Sequence, residues 1–286
     1  MYKYYLQSVI IPVYNTVKWL DECLEAVYNQ DFEGKFEVSI YNDSSTDGSL
    51  DLIRKWEKQF AEKSIDVVIG GHTSESPRGV GYAKNQAVQQ CRGTYLSFLD
   101  ADDVMHVSRI RKQYQAALAH PQAIIGSNFH RLPTGSTNRY THWANTLTNQ
   151  QLYTQIYTSH GPSLIMPTWF CHRKVFEKVQ GFDEGGKGVP EDLIFFFRHL
   201  ELGGDLYRVE EDLLMYRYHT EATSFSIHQD TIWNIRMKYI QKNVIDSWLT
   251  FTIWNAGKQG KKFYKSLSPE NQKKVWCLIL LNVVVK

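Results

Sequence analysis

The sequence has few cysteines, and none are spaced as a pair. Cys23, Cys91, Cys171 and Cys277 lie far apart with no C-x-x-C, which argues against a disulfide framework or a zinc site and suits reduced thiols. No apolar run reaches the roughly 18 residues that a membrane-spanning helix needs. The longest, VWCLILLNVVV at 275–285, is shorter and contains Asn282. The opening MYKYYLQSVIIPVYN has no basic n-region, no long h-region and no small-residue cleavage site. These absences predict a cytoplasmic protein with no membrane partner. G-x-x-x-x-G-K-[ST], H-E-x-x-H and G-x-S-x-G are missing too, so P-loop kinase, zincin and serine-hydrolase chemistry lack their residues. Net charge is small, +2, but unevenly spread. Residues 226–286 hold ten Lys/Arg against Asp230, Asp246 and Glu270, a local +7 that leaves −5 for residues 1–225. A basic extension reaching toward a polyanion produces that asymmetry, and a solvated helix face produces it equally well.

What is present is an α/β pattern. At 286 residues and 43% hydrophobic, the chain can bury one large core or two ordinary ones. SVIIPVYN (8–15) and FEVSIYND (36–43) read as buried strands with an amphipathic helix at 17–30 between them, a βαβ unit that implies a parallel sheet. A helix at 47–63, a strand at 65–71, a helix at 81–91 and a strand at 93–103 continue the alternation. Next, DVMHVSRIRKQYQAALAH (103–120) has helical spacing, residues 131–150 read as loop, and RKVFEKV (173–179) as helix. A Gly-rich loop enters a helix within 186–204, with Pro190 near its first turn, and residues 228–267 read as mostly helical. A soft boundary falls near residue 225, dividing a domain at 1–225 from a helical, basic extension at 226–286.

Three strands end in polar clusters, Tyr14-Asn15, Asn42-Asp43 and Asp100-Ala101-Asp102, and ligands of open parallel sheets sit at the carboxyl ends of strands. Strand alternation lets Asp100 and Asp102 of FLDADD face one side, with Ala101 leaving room for a ligand, a geometry suited to Mg²⁺ or Mn²⁺ shared with a diphosphate. Equally, Asp102 or Asp103 could cap the following helix. NDSSTDGS (42–49) fits a polar turn or a nucleotide site. GVGYAKN (79–85) opens like a dinucleotide fingerprint, but Lys84 stands in place of the third glycine, so a Rossmann cofactor site is rejected. Glu191-Asp192 fits dipole stabilisation of a helix start or a general base. His219 is a metal-site candidate or a structural histidine. Trp169 reads as core on composition, with a stacking surface as the alternative.

In order, VIIPVYN, NDSSTDGS, GVGYAKNQAV, FLDADD and PED resemble the family 2 glycosyltransferases with a GT-A fold, over residues 8 to about 225. The resemblance implies a Rossmann-like, mostly parallel central sheet flanked by helices. It implies that Pro12, Tyr14, Asn15 and Asp43 line a uridine pocket, that Lys84 approaches the nucleotide, and that Asp100 and Ala101 contact the donor. Asp102, with Asp100 and His219, would hold a divalent cation, Mn²⁺ or Mg²⁺. Asp192 would be the catalytic base, with Trp169 and Glu191 toward the acceptor or sugar. Where the family commonly has Asp-Asp-Gly-Ser and Arg, this chain has Asn42-Asp43-Ser44-Ser45 and Lys84. No Q-x-x-R-W follows Asp192, which implies one sugar per encounter rather than polymer synthesis, and the transfer expected from the resemblance is inverting and metal-dependent. FTIWNAGKQG (251–260) further resembles family members that modify tRNA, implying UDP-galactose as donor and queuosine in cytoplasmic tRNA as acceptor, reached through the basic C-terminal region. Those members continue past KKVW (273–276) with a further segment, so the resemblance implies a shorter C-terminal form here. The alternatives are UDP-GlcNAc-dependent β-1,3 transfer to a glycan and an inactive nucleotide- or RNA-binding module.

Overall fold

The apolar alternation of the first hundred residues becomes a parallel sheet wound with helices: β1 (Gln7–Val13), α1 (Val17–Tyr28), β2 (Phe36–Asn42), α2 (Ser49–Glu62), β3 (Asp66–Gly71), α3 (Val80–Gln90) and β4 (Tyr95–Phe98). Every residue of β1 and β2 is buried, as parallel strands covered on both faces require. On α1, Leu20, Cys23, Leu24 and Val27 recur at helical spacing and pack with Val9, Ile11 and Val13 of β1 and Val38 and Ile40 of β2. Each of the Leu, Ile and Val side chains contributes about 1.5–3 kcal/mol by leaving water.

The computed structural model describes residues 6–254 and 257–279, in two units that divide between Ile227 and His228. The first unit continues with β5 (Val104–Met105), α4 (Arg109–Ala119), β6 (Ala123–Leu132), α5 (Asn138–Thr146), α6 (Asn149–Thr154), β7 (Phe170–His172), α7 (Arg173–Val179), α8 (Glu191–Glu201) and β8 (Asp205–Arg217). Its sheet has eight strands in the order β3-β2-β1-β4-β7-β6-β8-β5. The half from β3 to β4 is parallel, whereas β7 runs antiparallel to both neighbours and β5 antiparallel to β8. The chain leaves β1 toward β2 and β3 and then returns to place β4 on the other side. This reversal opens a crevice at the carboxyl ends of β1 and β4. The register sets Val13 beside Asn42 and Ile10 beside Phe98, so all three polar strand ends reach the same edge.

Three segments differ from the sequence expectation. Residues 103–120 are not one helix: Val104–Met105 pairs with β8, and the helix begins only at Arg109, after Ser108. Residues 131–150 contain two short helices, the second started by a capping box between Thr148 and Gln151. In the second unit, α9 (Gln229–Asn243) and α10 (Lys258–Lys265) are separated by β9 (Phe251–Trp254), which pairs in parallel with β10 (Val275–Ile279) beyond α11 (Pro269–Lys273). Met237, Ile245, Ile253 and Leu267 form this unit's own core.

Candidate active site

At the β1 end, Pro12 is buried in register with Tyr41, while Tyr14 stands 46% exposed. Asn15 turns the chain with a positive φ of 49°, a conformation that asparagine tolerates. Its Oδ1 accepts the Thr46 amide at 2.8 Å and its own amide donates to Ser45 Oγ at 2.9 Å. The NDSS loop is thereby stitched to the β1 turn. Asp43, at the β2 end, is buried and highly committed. It accepts the amides of Arg78 (2.9 Å) and Gly79 (2.7 Å), and its Oδ1 lies 2.7 Å from His72 Nε2. One carboxylate thus ties together the ends of β2 and β3 and the start of α3. Oδ1 has two partners and Oδ2 one, so a nucleotide would find a single acceptor position left, on Oδ2.

After β4 the chain turns, with the Asp103 amide donating to Asp100 O at 3.1 Å. Strand alternation therefore does not govern the three aspartates, and each meets a different partner. Asp100 Oδ1 lies 3.6 Å from Lys84 Nζ. Ala101 is buried. Asp102 Oδ2 lies 2.8 Å from His219 Nε2, both side chains partly exposed, and the His219 ring is 4.1 Å from Trp19. Asp103 points inward and accepts the Arg217 amide at 2.8 Å, so it anchors β8 rather than capping a helix. Arg217 also donates from Nε to Asp102 O at 2.9 Å and pairs with Glu22. Beneath the turn, fully buried Arg109 donates to Phe98 O at 2.7 Å.

The electrostatics follow from this enclosure. Burial, reinforced by Asp102 and Asp100, pushes the Asp103 carboxyl far above the usual range. Burial raises Asp100 as well, with Lys84 opposing. Arg109 falls to about 9 through burial, against the pull of Asp103 and Asp100. Part of the positive charge these carboxylates demand is therefore supplied by the protein's own Lys84, which opposes the rise at Asp100, and Arg109, which opposes it at Asp103.

The last group sits at the start of α8. Asp192 is held up at about 7, first by burial and then by Glu191, with Lys84 opposing. Its Oδ1 accepts the Leu193 amide at 2.7 Å. Glu191 is buried, its Oε1 2.9 Å from Lys84 Nζ. Lys84 is only 2% exposed. Burial alone would lower its pKa, but Asp100 and Glu191 more than reverse this and hold the ammonium firmly charged. Two sequence expectations change here. Lys84 turns inward to Glu191, Asp100 and Met166 Sδ instead of presenting its charge to a nucleotide, and Glu191 spends its charge on Lys84 instead of facing an acceptor. Trp169 is also misplaced as an acceptor contact. It is 1% exposed among Phe182, Phe195 and Phe196, with Nε1 donating to Leu164 O at 2.8 Å.

Among the described residues, no group of three or more His, Cys, Asp or Glu side chains could hold a metal ion. Asp102 and His219 offer two adjacent donors, which fits a cation that completes its shell with substrate phosphates and water. His72, Arg109 and Arg217 were missed from sequence. His72 follows β3 directly, so the strand-end rule could have found it, and Arg217 lies two residues before the His219 already singled out. Arg109 carries no local signal, because its role depends on being buried under a distant turn.

A family model described as Glycosyl transferase family 2 matches residues 8–180. Glycosyltransferase GlyG of Streptococcus pneumoniae serotype 4 is 27% identical over 135 residues, 47% of this chain and 42% of that protein. The uncharacterized glycosyltransferase EpsJ of Bacillus subtilis is 24% identical over 220 residues, 74% of this chain and 61% of that protein. The chain thus spans less than two thirds of the length of these relatives. Among solved structures, S. aureus TarS 1–349 in complex with UDP-GlcNAc superposes with a TM-score of 0.69 at 16% identity, covering 94% of this chain and 83% of that one. A mannosyltransferase from Pyrobaculum calidifontis in complex with GDP-Man and Mn²⁺ gives 0.59 at 16% identity, covering 86% and 66%. These likenesses show the GT-A fold.

Proposed function

Because the chain belongs to glycosyl transferase family 2, we propose that it transfers one hexose from a UDP-sugar to an acceptor hydroxyl with inversion, using Asp192 as general base. The observation that carries this reading is the Asp192 carboxyl, held at about 7 at the start of α8, where it can take a proton near neutral pH. Asp192 removes the acceptor hydroxyl proton. The oxygen attacks the anomeric carbon from the face opposite UDP, the bond from that carbon to the diphosphate oxygen breaks, and UDP leaves with the electron pair. An α-linked donor therefore gives a β-linked product. Pro12, Tyr14, Asn15 and Asp43 lie at the strand ends where the uridine is proposed to bind, with Asp100 and Ala101 toward the sugar phosphate. A divalent cation held by Asp102 and His219, Mn²⁺ or Mg²⁺, would neutralise charge on the departing diphosphate.

For the donor we propose UDP-galactose, and for the acceptor the queuosine of cytoplasmic tRNA. The likeness of residues 251–260 to tRNA-modifying family members and the +7 of residues 226–286 support this choice. Among the described residues no helix is long and apolar enough to cross a membrane. A second reading, GlcNAc transfer to a glycan, is favoured by the UDP-GlcNAc bound to TarS. UDP release measured with UDP-galactose and UDP-GlcNAc, each with queuosine-containing or unmodified tRNA, separates them. Turnover with UDP-galactose only on queuosine tRNA is the expected result. Turnover with UDP-GlcNAc alone overturns the donor assignment, and binding without UDP release indicates an inactive module.

A further inference from the structure

One face of α3 grips the segment that leads into α8. Gly81, Lys84 and Asn85, at i, i+3 and i+4, all meet residues 182–191. A Cβ on Gly81 would lie 2.1 Å from Asp183 O and 3.3 Å from Glu191 Cβ, so the two backbones are in close contact. Asn85 Nδ2 donates to Phe182 O at 3.0 Å and Glu184 Oε1 at 2.7 Å, and its Oδ1 accepts the Phe182 amide at 2.8 Å. Between them Lys84 Nζ reaches Glu191 Oε1 at 2.9 Å and Asp100 Oδ1 at 3.6 Å. It is the charge shared by the turn after β4 and the start of α8.

We infer that Lys84 is a positioning residue, which fixes the start of α8, and so Asp192, relative to Asp100 on the donor side. The inference rests on the reading of Asp192 as base. The segment it secures, FDEGGKGVP (182–190), carries Gly185, Gly186 and Gly188, the last two at positive φ, so it has little stiffness of its own. Without the ammonium the start of α8 loses its tie to Asp100, whether or not Glu191 keeps its charge, and Asp192 moves with it.

Three variants test this: Lys84→Met, Lys84→Met with Glu191→Met, and Asp192→Asn as control. Lys84→Met should lower Tm. The double variant replaces a buried ion pair with apolar side chains, so it should recover Tm. Both should lose about 100-fold in kcat, the cost of a base misplaced by ~1 Å, while UDP affinity by calorimetry stays within about threefold. In both, hydrogen exchange at amides 182–193 should quicken. Recovery of kcat along with Tm in the double variant would make the pair merely structural and overturn the inference. So would unchanged exchange at 182–193, and so would loss of UDP affinity as the main effect. If the parent protein releases no UDP from any donor, the functional reading fails instead, and the exchange measurement still decides the role of Lys84.

Discussion

At the scale of single residues, the site divides labour among chemically identical groups by burial. Asp102 is partly exposed beside His219, Asp103 is sealed against the Arg217 amide, and Asp192 is raised to about 7. Asp192→Asn should cost about 10²–10⁴ in transfer rate while leaving UDP binding intact, and full activity in that variant would refute the base assignment. Its stability should respond too. A carboxyl raised from 3.8 to about 7 in the folded state contributes stability that is fully present below the unfolded value and lost as pH rises through about 7. The parent protein should therefore lose stability between pH 4 and 7 in a way that Asp192→Asn does not, as thermal melts across that interval would show. Asp102→Ala should abolish the enhancement of UDP binding by Mn²⁺. Equal enhancement in parent and variant, measured by titration calorimetry, would remove Asp102 from the metal site.

At the scale of elements, the close approach of α3 to residues 182–191 makes Gly81 a position with little tolerance. Alanine is the better helix former by about 1 kcal/mol, but a methyl 2.1 Å from a backbone carbonyl forces movement that costs typically 1–3 kcal/mol. Gly81→Ala should therefore lower Tm, and a raised Tm would show that the segment yields without penalty. The parallel half of the sheet was legible because β1 to β4 are short apolar runs separated by amphipathic helices, a local signal. The other half was not. β8 carries Glu210, Glu211 and Asp212 in its exposed middle, β6 contains Gly126, Ser127 and Asn128, and both find their place through pairing with strands far away in sequence. The same holds for β9, four residues whose partner β10 begins at Val275. In the site, strand-end position singled out Asp43, Asp100 and Asp102, and a helix start after a Gly-rich loop singled out Asp192. Neither could reveal that Lys84 and Glu191 face each other, because their contact joins residues 107 apart in the sequence.

At the scale of the whole molecule, charge is segregated between the two stretches of chain, −5 over residues 1–225 and +7 over residues 226–286. In the second unit the lysines are not all equivalent. Lys262 pairs with Asp230 at 2.7 Å and is partly neutralised there, whereas Lys258, Lys261 and Lys265 are exposed on α10, at spacings of three and four residues that align them on one face. If the acceptor is a tRNA reached through this region, each lysine that neutralises a phosphate releases a counterion, and the logarithm of affinity falls with the logarithm of salt in proportion to their number. Replacing these three by alanine should weaken tRNA binding and reduce the magnitude of that slope by about two to three, at ~0.9 per phosphate contact on a duplex. The core of the unit, Met237, Ile245, Ile253 and Leu267, does not include these positions, so the melting profile should stay unchanged. Anisotropy titrations between 50 and 200 mM salt, a range over which such contacts lose several orders of magnitude in affinity, would resolve the change. An unaltered slope with undiminished affinity would mean that the basic face is only a solvated helix surface, and the acceptor would then have to be recognised by the glycosyltransferase domain alone.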